Sequence, residues 1–163
     1  MAEPNQRSKV MGLICDLFSL GMEIQELYLK NSKYKELSMS EMHVIEAVYL
    51  EPEATMTNVA RRLMVTVGTL TTSVNRIVQK GFLERHKSPT DKRIVLLALT
   101  LKGRDALSIH EQFHQRLERI ILAPFEGDDY EWVLDRLSVI YRNMQKQRLI
   151  YLKQYENKHS NKT

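Results

Sequence analysis

Apolar residues recur at helical spacing along most of the chain and change to strand spacing only in one stretch after Gly81. From about Ser8 to Leu29, Val10, Leu13, Ile14, Leu17, Leu20, Ile24, Leu27 and Tyr28 return every three or four positions, as an amphipathic helix requires. Ser38-Met39-Ser40-Glu41 has the form of a capping box and predicts a helix burying Met42, Ile45, Ala47, Val48 and Leu50 before Pro52. Thr55-Met56 is expected to add a short strand. Thr57 is expected to cap a short helix to Met64 that packs through Val59, Ala60 and Leu63. Thr66 caps the next, whose Val67, Leu70, Val74 and Ile77 turn inward, and Gly81 supplies the left-handed residue that ends it. A two-stranded hairpin with a charged tip, His86 to Arg93, then runs to Leu99. Thr100 starts a helix with the stripe Ala106, Ile109, Phe113, Leu117, Ile120 and Ile121, which Pro124 stops. Asp128 and Glu131 read as a capping pair for a last helix carrying Val133, Leu134, Leu137, Ile140, Tyr141, Met144, Tyr151, Leu152 and Tyr155. Residues 157–163 read as a disordered tail.

Helix, short turn, helix and hairpin in succession make a winged helix-turn-helix. The predicted fold class is therefore mainly α with a small antiparallel β wing. On the second helix of the pair, Thr69, Thr72, Asn75 and Arg76 lie opposite the apolar face with Gly68 beside them. That outer surface is slim enough for a major groove about 12 Å wide.

Charge strengthens this reading. Residues 57–93 hold eight basic side chains, Arg61, Arg62, Arg76, Lys80, Arg85, Lys87, Lys92 and Arg93, against Glu84 and Asp91, whereas the whole chain is only +4. A positive field concentrated on a helix pair and hairpin suits a polyanion, here double-stranded DNA. The length of 163 residues allows one modest core, and no apolar run approaches the length that crosses a bilayer. The polar start, with Asp16 interrupting the apolar stretch behind it, does not resemble a signal peptide, and one cysteine agrees with a reducing compartment, so the cytoplasm is expected. The stripes on the terminal helices exceed what one small module can cover. The expected organisation is a homodimer, with 8–37 and 100–156 as dimerisation helices around a DNA-binding module at 38–99, its two recognition helices about 34 Å apart on a palindromic operator.

The strings Leu63-Met64-Val65-Thr66-Val67-Gly68-Thr69-Leu70-Thr71-Thr72, Lys80-Gly81-Phe82-Leu83-Glu84-Arg85, Asp91-Lys92-Arg93 and Leu99-Thr100-Leu101-Lys102-Gly103 occur in that order. In this the chain resembles the MarR family of winged-helix transcription regulators over about residues 10–150. Within it, Glu41-Met42-His43, Thr71-Thr72-Ser73 and Phe113-His114 look most like the branch that represses fatty-acid biosynthesis genes in Gram-positive cocci. The resemblance implies that Thr66, Thr69, Thr71, Thr72, Asn75 and Arg76 belong to the recognition helix, with Gly68 admitting close backbone approach. It implies that Arg93 reaches a minor groove from the wing and that Asp91 braces it, although an Asp at a hairpin tip also suits a turn. Arg85, Lys87 and Lys92 are expected on phosphates.

The same resemblance implies a corepressor, a long acyl chain delivered on acyl carrier protein. Leu13, Leu17, Leu20, Ile109, Phe113 and Leu117 are the candidate walls of an apolar tunnel, and His110 a polar group beside it, although helix stripes are more often plain core. An alternative is a repressor of another regulon released by a small aromatic ligand or by oxidation of Cys15, although Asp16 beside that thiol opposes thiolate formation. His110 and His114, four residues apart, could share a metal, but two ligands are too few and the sequence shows no acid completing a site. No metal and no required cofactor are expected. There is no Gly-rich phosphate loop, nucleophile elbow or convincing pair of carboxylates, which argues against an enzyme.

Overall fold

In the computed structural model the described residues form α1 (Pro4–Lys30), α2 (Met39–Leu50), α3 (Met56–Leu63), α4 (Val67–Gln79), β1 (Leu83–Lys87), β2 (Val95–Leu99), α5 (Leu101–Leu122) and α6 (Asp128–Ser160). The backbone is described for residues 4–160 and the side chains for 9–154. The strands pair antiparallel with Leu83 opposite Leu99 and Arg85 opposite Leu97. This is a winged helix-turn-helix set between longer helices.

Side-chain caps fix where the helices begin. Ser38 Oγ accepts from the Glu41 amide at 3.2 Å while the Glu41 carboxylate accepts from the Ser38 amide at 2.9 Å, which closes the predicted capping box. Thr66 Oγ1 accepts from the Thr69 amide at 3.1 Å, and Thr100 Oγ1 from the Gly103 amide at 3.0 Å. The cap of α3 is Thr55, not Thr57, because Thr55 Oγ1 sits 3.1 Å from the Asn58 amide, three residues on. The expected strand at Thr55-Met56 shrinks accordingly to a single bridge between Thr55 and Leu96. Pro4 opens α1 where its missing N–H leaves no orphan, so that helix starts earlier than Ser8. Asp128 is the first residue of α6 rather than its cap, and it joins Asp129 and Glu131 at the positive end of the helix dipole. Nothing between residues 128 and 160 is Gly or Pro. The helix accordingly runs on through 157–160, where a disordered tail was expected, and 161–163 lie outside the described residues.

One core lies beneath α2, α3, α4, the hairpin and the start of α5. Met42, Ile45, Val59, Leu70, Val74, Ile77, Phe82 and Leu83 are its most deeply buried side chains, each contributing about 1.5–3 kcal/mol. Tyr34 meets Phe82 edge-on at 5.3 Å. Gly103 lets α5 leave the hairpin closely: a Cβ there would stand 2.1 Å from the Phe82 carbonyl oxygen. Val67 departs from the predicted inward face and is exposed, since it sits at the start of α4, one turn before the helix's first core contact at Leu70. Leu50 at the end of α2 is exposed for the same kind of reason.

The described residues divide into one compact unit ending at Arg116 and a second starting at Leu117. The division falls inside α5 rather than at residue 100, because Ala106 and Leu107 belong to the module's core and Phe113 packs against Tyr28 of α1 at 5.3 Å. Within the first unit, α1 exposes Leu13, Leu17, Phe18, Leu20, Met22 and Leu27. Within the second, Trp132, Leu137, Ile140, Tyr141, Met144 and Tyr151 of α6 are exposed, as are Ile120 and Ile121.

Candidate nucleic-acid interface

Burial of Leu70, Val74 and Ile77 turns the other side of α4 outward. Gly68, Thr69, Thr71, Thr72, Asn75 and Arg76 are all exposed on it, with Thr66 at its start. The hydroxyls differ in what they can still offer. Thr71 Oγ1 donates to the Val67 carbonyl at 2.7 Å, so its proton is committed, whereas the Thr72 hydroxyl reaches the Gly68 carbonyl only at 3.5 Å. A phosphate accepts hydrogen bonds, so Thr72 is the better donor and Thr71 chiefly presents its methyl group. Thr66 and Thr69 share a hydrogen bond of 2.9 Å between their hydroxyls. A Cβ at Gly68 would meet nothing nearer than Thr66 Oγ1 at 3.8 Å, so the fold itself does not require glycine there.

The wing is tied to α4 and to itself. Arg85 Nη2 donates to Asn75 Oδ1 at 2.6 Å, joining two residues expected to act separately on phosphate and base. Ser88 is buried at the foot of the loop, its Oγ accepting from the Thr90 amide at 3.3 Å and its amide donating to the Ile94 carbonyl at 2.9 Å. Asp91 Oδ1 accepts from the Arg93 backbone amide at 2.9 Å, so it shapes the turn that carries the arginine. Lys87, Lys92 and Arg93 are exposed around that tip.

Two of the eight basic residues are paired with acids of the chain itself. Arg62 Nε meets Glu51 at 2.8 Å and its Nη2 the Leu50 carbonyl at 3.1 Å. Lys80 Nζ donates to both Glu41 oxygens, at 2.7 and 2.8 Å, and to the Glu36 carbonyl at 2.7 Å. Burial pushes the Glu41 carboxyl up, but the Lys80 ammonium and the Ser38 amide outweigh it and hold the group below the usual carboxylate range. Lys80 thus locks the C-terminal end of α4 to the start of α2.

The expected ligand residues do not form a tunnel within the first unit. Leu13, Leu17 and Leu20 are exposed, Ile109 packs against the core, and His110 and Phe113 are buried in it. Leu117, half-buried, belongs to the second unit. A cleft of about 430 Å³ lies between α1, the start of α2 and α4, but its lining is largely polar and charged and includes none of those residues. Cys15 is exposed on α1. His110 and His114 do acquire an acid, contrary to the sequence expectation: Glu46 of α2 stands beside them, with His43 one turn earlier. Burial first, then the neighbouring His110, hold the His43 and His114 imidazoles below their ordinary range. His110 in turn holds the Glu46 carboxyl low against the opposing effect of burial.

The MarR family pattern matches residues 37–95. Streptococcus pneumoniae FabT, solved in complex with DNA, is 31% identical, with a TM-score of 0.80 over 86% of this chain and 98% of that one. YhjH of Bacillus subtilis, described as an uncharacterized HTH-type transcriptional regulator, is 28% identical over 130 residues, 80% of this chain and 73% of its own. The multiple antibiotic resistance protein MarR of Salmonella typhimurium is 46% identical over 54 residues, 33% of this chain and 35% of its own. The chain belongs to the MarR family of winged-helix transcription regulators, which bind DNA and are not enzymes. No helix among the described residues is long and apolar enough to cross a membrane.

Proposed function

We propose that this regulator is a homodimeric repressor of fatty-acid biosynthesis genes that reads a palindromic operator and is tightened on it by long acyl chains carried on acyl carrier protein. The observation that carries the reading is the likeness to FabT over nearly the whole of that chain, at 31% identity, in a structure that holds DNA. The outward row of Gly68, Thr69, Thr72 and Arg76 suits a major groove, and the exposed Arg93 suits the minor groove beside it.

The exposed apolar residues on α1 and α6 favour a second copy as their cover, since a monomer seldom leaves so many large side chains in water. An acyl chain would be enclosed at Leu13, Leu17 and Leu20 only once such a partner is in place. Operator-binding titrations with acylated and unloaded acyl carrier protein test the corepressor. Tightening by the acylated form alone is expected, and equal effects from both would overturn it.

A further inference from the structure

The first two turns of α4 carry little that the hydrogen-bonding edge of a base pair could use. Residues 67–73 read Val-Gly-Thr-Leu-Thr-Thr-Ser, with no charged or amide side chain before Asn75. The hydroxyls at the start are engaged: those of Thr66 and Thr69 bond each other at 2.9 Å, and Thr71 Oγ1 donates to the Val67 carbonyl at 2.7 Å. Thr72 and Ser73 make only longer contacts of 3.5 Å with the backbone. The Thr71 bond holds its hydroxyl against the preceding turn and leaves its methyl group as the outward part. Val67, the first residue of α4, is 44% exposed although valine ordinarily seeks the core. Val67 and Thr71 are four residues apart, so they stack on one flank of the helix. They make a small hydrocarbon surface at the end of the helix that, in a helix-turn-helix, comes nearest the base edges.

We propose that Val67 and the methyl group of Thr71 read a thymine through its C5 methyl group in the major groove, and so fix the base pair at one position of each half of the bound DNA. Every base pair offers donors or acceptors in that groove, but only thymine displays an apolar group there. The paired hydrogen bonds by which arginine recognises guanine and asparagine recognises adenine need side chains that these two turns lack. A cytosine in the same place would bring its amino group against hydrocarbon and leave that donor without a partner, which rejects it. Asn75 and Arg76, a turn further along, serve positions read by hydrogen bonds. Enclosing one methyl group is worth about fourfold in affinity.

The test removes that methyl group and nothing else. The full chain selects duplexes from a random-sequence pool, and the enriched duplex is resynthesised with one thymine at a time replaced by deoxyuridine, which keeps the base pairing. Fluorescence anisotropy at one fixed salt concentration reads the affinity. At one thymine in each half the replacement should weaken binding by about fourfold. Val67→Ala and Thr71→Ser should each bring that ratio towards one at the same thymine, the second while retaining the hydroxyl. A merely structural role for either residue would lower affinity for both duplexes and leave the ratio unaltered. Both side chains are exposed, so the variants should keep the fold, which circular dichroism checks. Leu101→Ala trims an exposed apolar side chain on α5 and should preserve the ratio. The proposal is overturned if no sequence is enriched, if no thymine responds to loss of its methyl group, if either α4 variant keeps the full ratio, or if Leu101→Ala abolishes it.

Discussion

Replacing Gly68 with Ala separates folding from DNA approach at one atom. Gly68 is the second residue of α4, its φ is not left-handed, and a methyl there would find its nearest neighbour at 3.8 Å, an ordinary van der Waals distance. Nothing among the described residues opposes the substitution. Alanine exceeds glycine in helix propensity by about 0.8–1.0 kcal/mol in a helix interior, and less in the first turn, so a gain of roughly 0.5 kcal/mol is expected. Were glycine retained to let DNA come close, the same methyl would intrude between α4 and the groove. Operator affinity should then fall at least tenfold, or about 1.4 kcal/mol. Urea denaturation of the free protein and fluorescence anisotropy with labelled operator read the two effects separately, at one fixed salt concentration. The expected result is a more stable protein that binds DNA less well. Undiminished binding would refute the close approach at Gly68, and loss of stability would refute the reading of open space around it.

Arg93→Ala should weaken operator binding by about 1–3 kcal/mol with an unchanged melting temperature, because the side chain is exposed at the wing tip; unchanged affinity would remove it from the interface. Lys80→Met should destabilise the protein by roughly 1–3 kcal/mol in urea melts, less than a fully buried pair because about a third of Lys80 faces water, and a loss under 0.5 kcal/mol would show that the Glu41 lock is weak. His43 and His114 have folded pKa values below the unfolded value near 6.5, so the native state binds fewer protons and stability should fall as pH drops below about 6.5. Urea melts in EDTA at about pH 7 and about pH 5.5 would show the fall, which should shrink in His43→Gln; a flat profile would contradict it. Loss of the Glu41 and Glu46 contributions belongs to a lower window, as pH falls below about 4.5, because their carboxyls are depressed in the fold.

Local chemistry was readable from the chain wherever cause and effect are neighbours. Ser38 and Glu41 sit three residues apart, as do Thr66 and Thr69, so each cap carries its own signature, and the inward set Leu70, Val74 and Ile77 follows from helical period alone. The sequence reading puts the cap of α3 two residues late, at Thr57 instead of Thr55, because hydrophobic period does not fix where a helix begins. The tertiary pairings were silent for a different reason. Glu41 met its ammonium in Lys80, and Glu46 met His110, from helices distant in sequence, and nothing local to α2 names the partner. The capping box even concealed the first pairing, since a Glu three residues after a Ser already has a sufficient local explanation. Counting charges likewise overstated the field available to DNA, because Arg62 and Lys80 are answered by acids outside the segment counted.

Those long-range pairings bear on how a signal could reach the operator. The Thr66 hydroxyl caps α4 at its start, Lys80 binds it to α2 at its end, and the Asn75–Arg85 hydrogen bond ties it to the wing along its flank. Reshaping this helix would break several of these contacts together, at a cost comparable to a large share of a small domain's stability of about 5–15 kcal/mol. Moving the whole module as a body breaks none of them. A ligand that changes operator affinity is therefore expected to act on the helices that carry the module. Within the first unit that junction is α2 against the middle of α5, where His43 and Glu46 lie beside His110 and His114 and the His110 imidazole keeps an unsatisfied nitrogen. An input that changes the distance between these side chains would alter the angle at which α5 leaves the module without disturbing the exposed residues of α4 and the wing.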